Sequence, residues 1–241
     1  MVPTFLYQSV HFDHHKKIFY GTDKDGEYLP FASKGRGLIL LYIGFSFLIP
    51  LIFLFRFAVL TPISYFSSGL RKFVDQKMSS LNIDLNYQRP QPSLGRNEGW
   101  KLQEFWAGFY GIGFIALVIF KIMPAKALFM WYCLGASLFL VNSVRTLAAH
   151  HYRNAEEGEL SFTDQMLDSI NNPGNRWITP LWAPVGLRFH ATHHLFPDLP
   201  YHELGKAHNR LLEDRGINSL YGKTVQSGLW PSLCQLWKEA G

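Results

Sequence analysis

The middle of the chain, residues 38–144, contains four hydrophobic runs without a charged residue. They cover residues 38–55, 57–66, 105–120 and 127–144. A helix needs about 20 apolar residues to cross a bilayer, so the third and fourth runs are close to the required length. The short turn Lys121–Lys126 joins these two runs. They therefore predict a helical hairpin that crosses a membrane and returns, with its backbone hydrogen bonds made inside the two helices.

The first two runs allow two arrangements. Pro50 interrupts the first run, and Arg56 separates it from the second. Residues 38–66 therefore form either one long tilted span or a broken segment that enters and leaves the membrane on one side. The polar stretch at residues 67–101 carries six Lys or Arg against three Asp or Glu. It predicts a loop outside the membrane that contains some amphipathic helix.

The composition agrees with a membrane protein. Hydrophobic residues make up 48% of the 241 residues and aromatic residues 16%, and they are concentrated in the uncharged runs. The net charge of +5 is not carried by a Lys/Arg tract with interleaved aromatic residues, which favours an anionic membrane surface over nucleic acid as a partner. With only Cys133 and Cys234, neither a disulfide framework nor a cysteine-based zinc site can be built. We therefore predict an all-α, multi-pass integral membrane protein that binds membrane lipid and no nucleic acid.

Two histidine triplets with the spacing i, i+3 and i+4 flank the hydrophobic runs. The triplets are His11, His14 and His15 near the N-terminus and His190, His193 and His194 near the C-terminus. In a helix this spacing directs three imidazoles from one face of one turn. Because histidine accounts for only 10 of 241 residues, the repetition indicates a metal site. The alternative is a pair of solvated polar turns.

The two triplets favour a particular metal. Six imidazoles are more than one four-coordinate zinc ion can use, so two metal ions are the economical interpretation. Imidazole suits iron, zinc and copper. The chain lacks the Glu-x-x-His pairs of soluble di-iron bundles, and His202–Glu203 is not followed by the second histidine of a zinc-protease helix. A site built only from histidine beside membrane segments favours two iron ions and oxygen chemistry.

A third histidine element, His150 and His151, follows the last hydrophobic run. Adjacent helical residues point about 100° apart, so at most one of the two can face the same centre as the triplets. We favour His150, which shares a helix face with Asn142 and Thr146. The alternative is an interfacial pair that lies in the headgroup region beside Tyr152.

Other polar residues near the triplets are assigned supporting roles. His202 and His208 are interpreted as surface residues or as residues that support ligands, and Arg145 as a cation that reaches the headgroups. Candidates to hydrogen-bond the far nitrogen of a ligating ring are Asp13, Asp198 and Glu203. The alternative for these three carboxylates is a solvated loop position.

The number of membrane crossings follows from the assumption that both triplets serve one site. They must then lie on one side of the membrane, so an even number of crossings separates them. The hairpin supplies two, and residues 38–66 should enter and leave on one side with Pro50 as the break. The basic loop at 67–101 then stays in the cytoplasm, as the positive-inside tendency prefers. This predicts a cytoplasmic histidine-rich cap, with only Lys121–Lys126 on the other face.

The chain resembles the membrane fatty acid desaturase family over nearly its whole length. The resemblance rests on His190-x-x-His193-His194-Leu195-Phe196-Pro197, His11-x-x-His14-His15 and Ala149-His150 after a membrane hairpin. It implies a single desaturase-like membrane domain, residues 1–241, that binds two iron ions and uses O2 to remove two hydrogens from an acyl lipid. Two electrons would come from a carrier such as ferredoxin or cytochrome b5. The iron ligands that it implies are His11, His14, His15, His150, His190, His193 and His194.

Two departures from the family pattern refine this expectation. Front-end desaturases usually have Gln at the position of His190 and carry a fused cytochrome b5 domain, so that subgroup is disfavoured. Family members also have a further His-x-x-x-His or His-x-x-x-x-His box on a preceding helix, and no such box precedes His11. We therefore expect the chain to lack its N-terminal part, with in-frame coding sequence upstream of Met1 that encodes this box and two apolar spans.

The function predicted first is O2-dependent desaturation of a fatty acyl chain by a membrane di-iron oxidoreductase. A hydroxylase or ketolase of the same metal architecture is the alternative in chemistry, because abstraction of one hydrogen followed by return of oxygen needs the same centre. The alternative of a different class is an inactive or accessory membrane protein that keeps the fold without the metals.

Overall fold

The computed structural model describes residues 2–90, 98–214 and 218–241, so residues 91–97 of the predicted basic loop lie outside the described residues. Within these ranges the chain is helical, with three isolated β-bridges and no named strand, which confirms the all-α prediction. In chain order the α-helices are α1 (Phe5–His14), α2 (Phe31–Lys34), α3 (Arg36–Phe45), α4 (Ile49–Phe55), α5 (Thr61–Ser64), α6 (Ser68–Lys77), α7 (Glu98–Ile119), α8 (Ala125–Leu147), α9 (Phe162–Asp168), α10 (Thr179–Trp182), α11 (His190–Leu195), α12 (Leu204–Glu213), α13 (Asn218–Tyr221) and α14 (Leu229–Glu239). A π-helix at Arg56–Leu60 joins α4 to α5, and a 3-10 helix at Gly222–Thr224 follows α13.

The chain forms two compact units. The first unit contains Met1–His14, Asp23–Glu27 and Gly44–Leu140. The second unit contains His15–Thr22, Tyr28–Ile43 and Val141–Gly241. The first histidine triplet is therefore divided, because His11 and His14 belong to the first unit and His15 to the second.

Helices α7 and α8 confirm the two helices of the predicted hairpin and the turn between them. Gly99–Ile119 and Ala125–Leu147 are long and apolar enough to cross a membrane. At 1.5 Å per residue each helix is about 33 Å long, which matches a hydrocarbon core of about 30 Å. The turn contains Lys121 at φ 58°, and Pro124 precedes the first residue of α8. The protein thus contains membrane helices.

The hydrophobic runs at 38–66 form a bent pair of helices. The pair consists of Arg36–Phe45 and Ile49–Ser64, with a bend of 50° between them. Pro50 lies in the first turn of the second member, where the missing N–H costs no helical hydrogen bond. The break therefore lies just before Pro50, and the pair forms either one broken span or a re-entrant segment. That this pair enters and leaves on one side stays a prediction.

A hydrophobic cluster in the first unit packs α1 against membrane helices. It consists of Phe5, Leu6, Phe57 and Ala107, all buried. Close packing requires Gly108, because a Cβ atom at this position would lie 3.1 Å from the carbonyl oxygen of Phe57. Helix α1, which carries His11 and His14, is thereby attached to the π-helix and to α7.

A buried ionic cluster connects three helical elements of the first unit. The Arg56 and Arg71 guanidinium groups both donate to the Glu104 carboxylate, at 2.8 and 2.9 Å. Arg56 and Glu104 are 1% and 2% exposed, and Arg56 also donates to Ser79 Oγ at 3.2 Å. Removing one member of a buried ion pair costs about 3–5 kcal/mol, since it leaves an uncompensated charge. The cluster therefore holds the π-helix, α6 and α7 in one arrangement. Helix α6 is the helix predicted within the basic loop.

An extended segment at residues 169–172 organises the second unit. Its backbone N–H groups donate to the carbonyls of Ala149 (from Ile170, 2.8 Å), Thr224 (from Asn171, 2.7 Å) and Arg188 (from Asn172, 2.7 Å). Ala149 lies just after α8, Arg188 lies just before α11, and Thr224 is the last residue of the 3-10 helix. The segment thereby brings the end of α8 and the start of α11 to the same place, although they are far apart in sequence.

Candidate metal centre

Helix α11 carries the second histidine triplet as the spacing predicts. The helix begins at His190, and the His193 N–H donates to the carbonyl of Phe189 at 3.0 Å. His190 is buried, whereas His193 and His194 are half-buried. All three imidazoles therefore belong to less than two turns of one short helix.

Three imidazole nitrogens converge in the second unit. His190 Nε2 lies 2.8 Å from His150 Nε2 and 3.1 Å from His194 Nε2. His150, His190 and His194 each offer a ring nitrogen within 4.8 Å of the others. One nitrogen of His190 therefore faces two further imidazole nitrogens at once.

A second histidine group in the same unit contains His15 and His193. Their ring centroids are 4.5 Å apart, and their ligand nitrogens lie within 4.8 Å of each other. The His15 ring also lies 4.3 Å from that of His194, centroid to centroid. Because His193 and His194 are adjacent on α11, the two histidine groups lie side by side.

The hydrogen bonds around His150 determine which of its nitrogens carries the proton. Tyr20 Oη lies 2.8 Å from His150 Nδ1 and donates its own proton to Asp168 Oδ2 at 2.9 Å. Ser169 Oγ lies 3.4 Å from the same Nδ1 and donates to the Gln165 carbonyl at 3.0 Å. Both hydroxyl groups thus face Nδ1 with lone pairs, so Nδ1 carries the hydrogen. Nε2 is then the nitrogen with a lone pair, and it is the atom that lies 2.8 Å from His190 Nε2.

Burial reinforces this assignment. It raises the pKa of Tyr20 well above its ordinary value, and the Asp168 carboxylate raises that pKa further. Burial also raises the pKa of Asp168, although the hydrogen bond from Tyr20 opposes the shift. Tyr20 therefore stays protonated and remains a donor to Asp168 at neutral pH.

Two carboxylates in the first unit orient His11 and His14. Asp25 Oδ2 lies 2.8 Å from His14 Nδ1, and Glu27 Oε2 lies 3.0 Å from His11 Nδ1. A carboxylate that accepts the Nδ1 proton leaves Nε2 as the ligand atom, which is the usual support for a metal-binding histidine. The backbone N–H of Glu27 donates to Asp25 Oδ1 at 2.9 Å, which orients the Asp25 carboxylate.

The carboxylates that contact His11 Nδ1 and His14 Nδ1 are Glu27 and Asp25, for which the sequence carries no signal, whereas the suggested Glu203 lies 3.8 Å from His202 Nε2. Asp198 is exposed, Asp13 is half-buried, and Glu203 forms a salt bridge with Lys206 at 2.8 Å. Asp25 and Glu27 lie in a polar, turn-type sequence around Gly26, which predicts a loop and carries no signal for a contact with histidine. That loop is closed by the Ile83 N–H, which donates to the Gly26 carbonyl at 2.7 Å.

The remaining histidines have separate environments. His151 is buried, and burial followed by the Arg153 guanidinium lowers its pKa to about 4. The His202 side chain is 64% exposed and lies 3.8 Å from Glu203. His208 is buried, with Nδ1 2.8 Å from Tyr221 Oη, and burial lowers its pKa.

A comparison with protein families gives the decisive observation. The model of the fatty acid desaturase family matches residues 1–221. The chain belongs to this family. A ceramide hydroxylase of Caulobacter vibrioides (strain NA1000 / CB15N) is 37% identical over 242 residues, which cover 99% of this chain and 67% of the relative. No solved structure matches the chain. The resemblance seen in the histidine boxes is therefore confirmed, and the chain is a membrane di-iron oxidoreductase of the desaturase and hydroxylase type.

The donor set of this desaturase-family chain fits the metals that its family uses. Neutral imidazole nitrogen suits iron. Two nitrogens bound at right angles to one ion, each at about 2.1 Å, are about 3 Å apart. The separations of 2.8 and 3.1 Å at His190 Nε2 agree with this distance. The two neighbouring groups of histidines also agree with two ions.

A buried polar network below α11 fixes this helix of the desaturase-family chain. Thr192 Oγ1 lies 2.6 Å from Tyr221 Oη, and the Thr192 N–H donates to Asn171 Oδ1 at 3.2 Å. Tyr221 Oη also accepts from Asn171 Nδ2 at 3.1 Å and contacts His208 Nδ1. His208 thus supports the helix that carries the triplet. Sequence spacing contains no signal for Tyr221 or Asn171.

Proposed function

We propose that this chain hydroxylates the acyl part of a ceramide-like membrane lipid. The observation that carries the proposal is the 37% identity to a ceramide hydroxylase over 99% of the chain. Membership in a family that acts on acyl chains and the presence of membrane helices support a lipid substrate. Hydroxylation replaces one C–H bond by C–OH, consumes O2, two electrons and two protons, and releases water.

We propose two iron ions as the resident metals. The proposed ligands are His11, His14, His15, His150, His190, His193 and His194. Support comes from the convergence of nitrogens in the second unit and from the Nδ1 hydrogen bonds of His11, His14 and His150. His11 and His14 form one i, i+3, i+4 triplet with His15, which resembles a histidine box of the family, and this is the reason for including them in one centre.

Each group of residues has a distinct task in this proposal. The iron pair supplies the activation of O2 that breaks an unactivated C–H bond. Tyr20, Asp25 and Glu27 accept the Nδ1 protons of ligating rings and so fix the tautomer that binds metal. Asp168 keeps the Tyr20 lone pair directed at His150 by accepting its proton. Electrons come from a separate carrier, for which a ferredoxin or a cytochrome b5 has the required chemistry.

The test is lipid analysis of a host that makes ceramide but lacks ceramide hydroxylation. We expect expression of the chain to produce ceramide that gains one oxygen atom, and the oxygen to derive from isotope-labelled O2. His193→Ala should abolish the product, and the exposed His202→Ala should not. Iron-loaded protein that receives electrons and leaves every lipid of the host unchanged would contradict the proposed function.

Desaturation is the second candidate, because the matching family is described as fatty acid desaturase. The same lipid analysis separates the two reactions. A product that has lost two hydrogens and gained no oxygen identifies a desaturase. In that case the substrate class stands and the reaction proposed here is wrong.

A further inference from the structure

One loop of the second unit carries a hydrophobic surface that the histidine centre does not use. It consists of residues 173–188, between the buried Asn172 and Phe189. Its exposed hydrophobic side chains are Trp177 (77%), Ile178 (61%), Leu181 (80%) and Val185 (59%). Single exposed hydrophobic residues are common, but four within residues 177–185 indicate a surface that contacts something else.

The 173–188 loop is closed at its base. The Asn172 N–H donates to the Arg188 carbonyl at 2.7 Å, and Arg188 Nη1 donates to the Pro173 carbonyl at 3.3 Å. Gly186 has φ 76°, and a Cβ atom there would lie 2.6 Å from the Tyr201 carbonyl oxygen. The loop therefore has a defined conformation, from which the hydrophobic side chains project.

The backbone at Val185 adopts a conformation that valine disfavours. Val185 has φ 46°, in the left-handed region that β-branched residues rarely adopt. Such residues persist only where the surrounding structure imposes them, and they concentrate at functional sites. Val185 is nevertheless 59% exposed, so the strained backbone holds its side chain at the surface of the unit.

The base of the loop is attached to the end of a membrane helix. Asn172 Nδ2 donates to the carbonyl oxygen of Ala148 at 2.8 Å. Ala148 directly follows α8, which is long and apolar enough to cross a membrane. The ends of such a helix lie at the bilayer surface. The base of the loop is therefore at the level of that surface.

The charged residues of the loop match lipid headgroups. Arg176 lies over the Trp177 ring at 5.3 Å, and Arg188 lies over the Phe189 ring at 4.7 Å, measured to the ring centroids. Tryptophan is enriched at membrane interfaces, and arginine attracts anionic lipids there. A second copy of the chain would have to place acidic residues opposite both arginines. An anionic bilayer, in contrast, presents negatively charged headgroups over its whole surface.

We propose that the 173–188 loop inserts Trp177, Ile178, Leu181 and Val185 into the headgroup region of the bilayer, with Arg176 and Arg188 against anionic headgroups. The loop is then a membrane contact in addition to the spanning helices, and it leads directly into His190 of α11. The proposal concerns where the loop lies and does not depend on the reaction that the histidines perform.

The experiment places a probe on the loop in the full chain. Cys133 and Cys234 are replaced by Ser, Leu181→Cys is labelled with an environment-sensitive fluorophore, and the protein is reconstituted in lipid nanodiscs. We expect blue-shifted emission and several-fold stronger quenching by lipids with a nitroxide in the headgroup region than for a probe at Glu156→Cys. Glu156 is exposed and lies in a polar turn of the same unit, so it is the matched control.

A second measurement tests the arginine part of the proposal. Anionic lipid should shift the emission of the Leu181→Cys probe, and Arg176→Gln should reduce that shift, whereas the exposed Arg210→Gln should not. Equal emission and quenching at Leu181→Cys and Glu156→Cys would overturn the proposal. Blue-shifted emission that resists lipid quenching and appears only in discs with two copies would also overturn it, in favour of a second copy as the occupant.

Discussion

The Tyr20 hydroxyl selects the nitrogen of His150 that carries the proton. It faces Nδ1 at 2.8 Å and gives its proton to Asp168 at 2.9 Å. In Tyr20→Phe the Nδ1 proton loses this acceptor, and the ring is no longer held in the tautomer that binds through Nε2. Loss of such a supporting partner typically costs about 10–100-fold in metal affinity. We expect this loss for Tyr20→Phe, measured as iron retained by the purified protein against a graded chelator.

Tyr152→Phe is the matched control for this prediction. Tyr152 is as buried as Tyr20, and its hydroxyl donates to the Thr146 carbonyl at 2.8 Å rather than facing a histidine nitrogen. The Tyr152→Phe substitution removes one buried hydroxyl, as Tyr20→Phe does. If the two variants hold iron equally well, the role assigned to Tyr20 is wrong.

At the scale of residues, the sequence predicts what is local. The i, i+3, i+4 spacing places His190, His193 and His194 on one short helix, because helical geometry alone decides their directions. It contains no information on Tyr20 and Asp168, which lie 148 positions apart and meet only through tertiary structure. The preference for His150 over His151 assumes a helix that continues through both residues, and this assumption is wrong, because α8 ends at Leu147 and His150 forms a β-bridge with Ser169. The structure nevertheless brings His150 to the other histidines. Its role as a ligand stays a prediction.

Helix α11 depends on one buried hydroxyl. Thr192 Oγ1 contacts Tyr221 Oη at 2.6 Å and Asn171 Oδ1 at 3.2 Å, and its relative exposure is 0%. Thr192→Val keeps the shape but leaves Tyr221 and Asn171 without this partner, at a cost of about 1–3 kcal/mol. We expect the midpoint of thermal unfolding in detergent to fall by roughly 2–4 °C per kcal/mol. We also expect a lower iron content at equal protein.

Thr192→Ser distinguishes the hydrogen bond from packing. It keeps the hydroxyl and removes only a methyl group, so it should restore most of the iron content that Thr192→Val loses. A serine variant that loses as much iron as the valine variant would show that the methyl group, and not the polar network, holds α11 in place.

At the scale of elements, length and periodicity identify some helices well. The uncharged runs predict α7 and α8 because a membrane helix is recognised by its composition alone, and the histidine spacing predicts α11. The extended segment at residues 169–172 has no such signal, because its order comes from backbone partners at Ala149, Arg188 and Thr224. The conformation of such a short segment is determined by hydrogen bonds to the surrounding chain, which the local sequence does not predict.

The two compact units are interleaved along the chain. The backbone passes from one to the other after residues 14, 22, 27, 43 and 140. No composition shift or linker marks these positions, so the sequence offers no boundary and predicts one domain over residues 1–241. Whether the units behave as that single domain stays a prediction. The boundary after residue 140 falls within α8.

The arrangement in the membrane is a property of the whole chain. If α7 and α8 both cross, they return the chain to its starting side, and the six Lys or Arg of the basic loop at 67–101 favour a cytoplasmic location for that loop. Whether the bent pair around Pro50 crosses the membrane determines on which side the first histidine triplet lies. If it is re-entrant, both ends of the pair and the second triplet share the cytoplasmic face. If it crosses, the two histidine triplets lie on opposite faces and cannot form one centre.

Cysteine labelling in intact cells decides between these arrangements. In a background with Cys133 and Cys234 replaced by Ser, the probes are Lys34→Cys and Lys72→Cys on either side of the bent pair and Lys126→Cys in the first turn of α8; all three positions are exposed. We expect an impermeant maleimide to label only Lys126→Cys from outside, and the other two only after permeabilisation. Labelling of either Lys34→Cys or Lys72→Cys alone from outside would show that the bent pair crosses the membrane. His11 and His14 could then not join the histidines of α11, and the single di-iron centre proposed here would be refuted by topology alone.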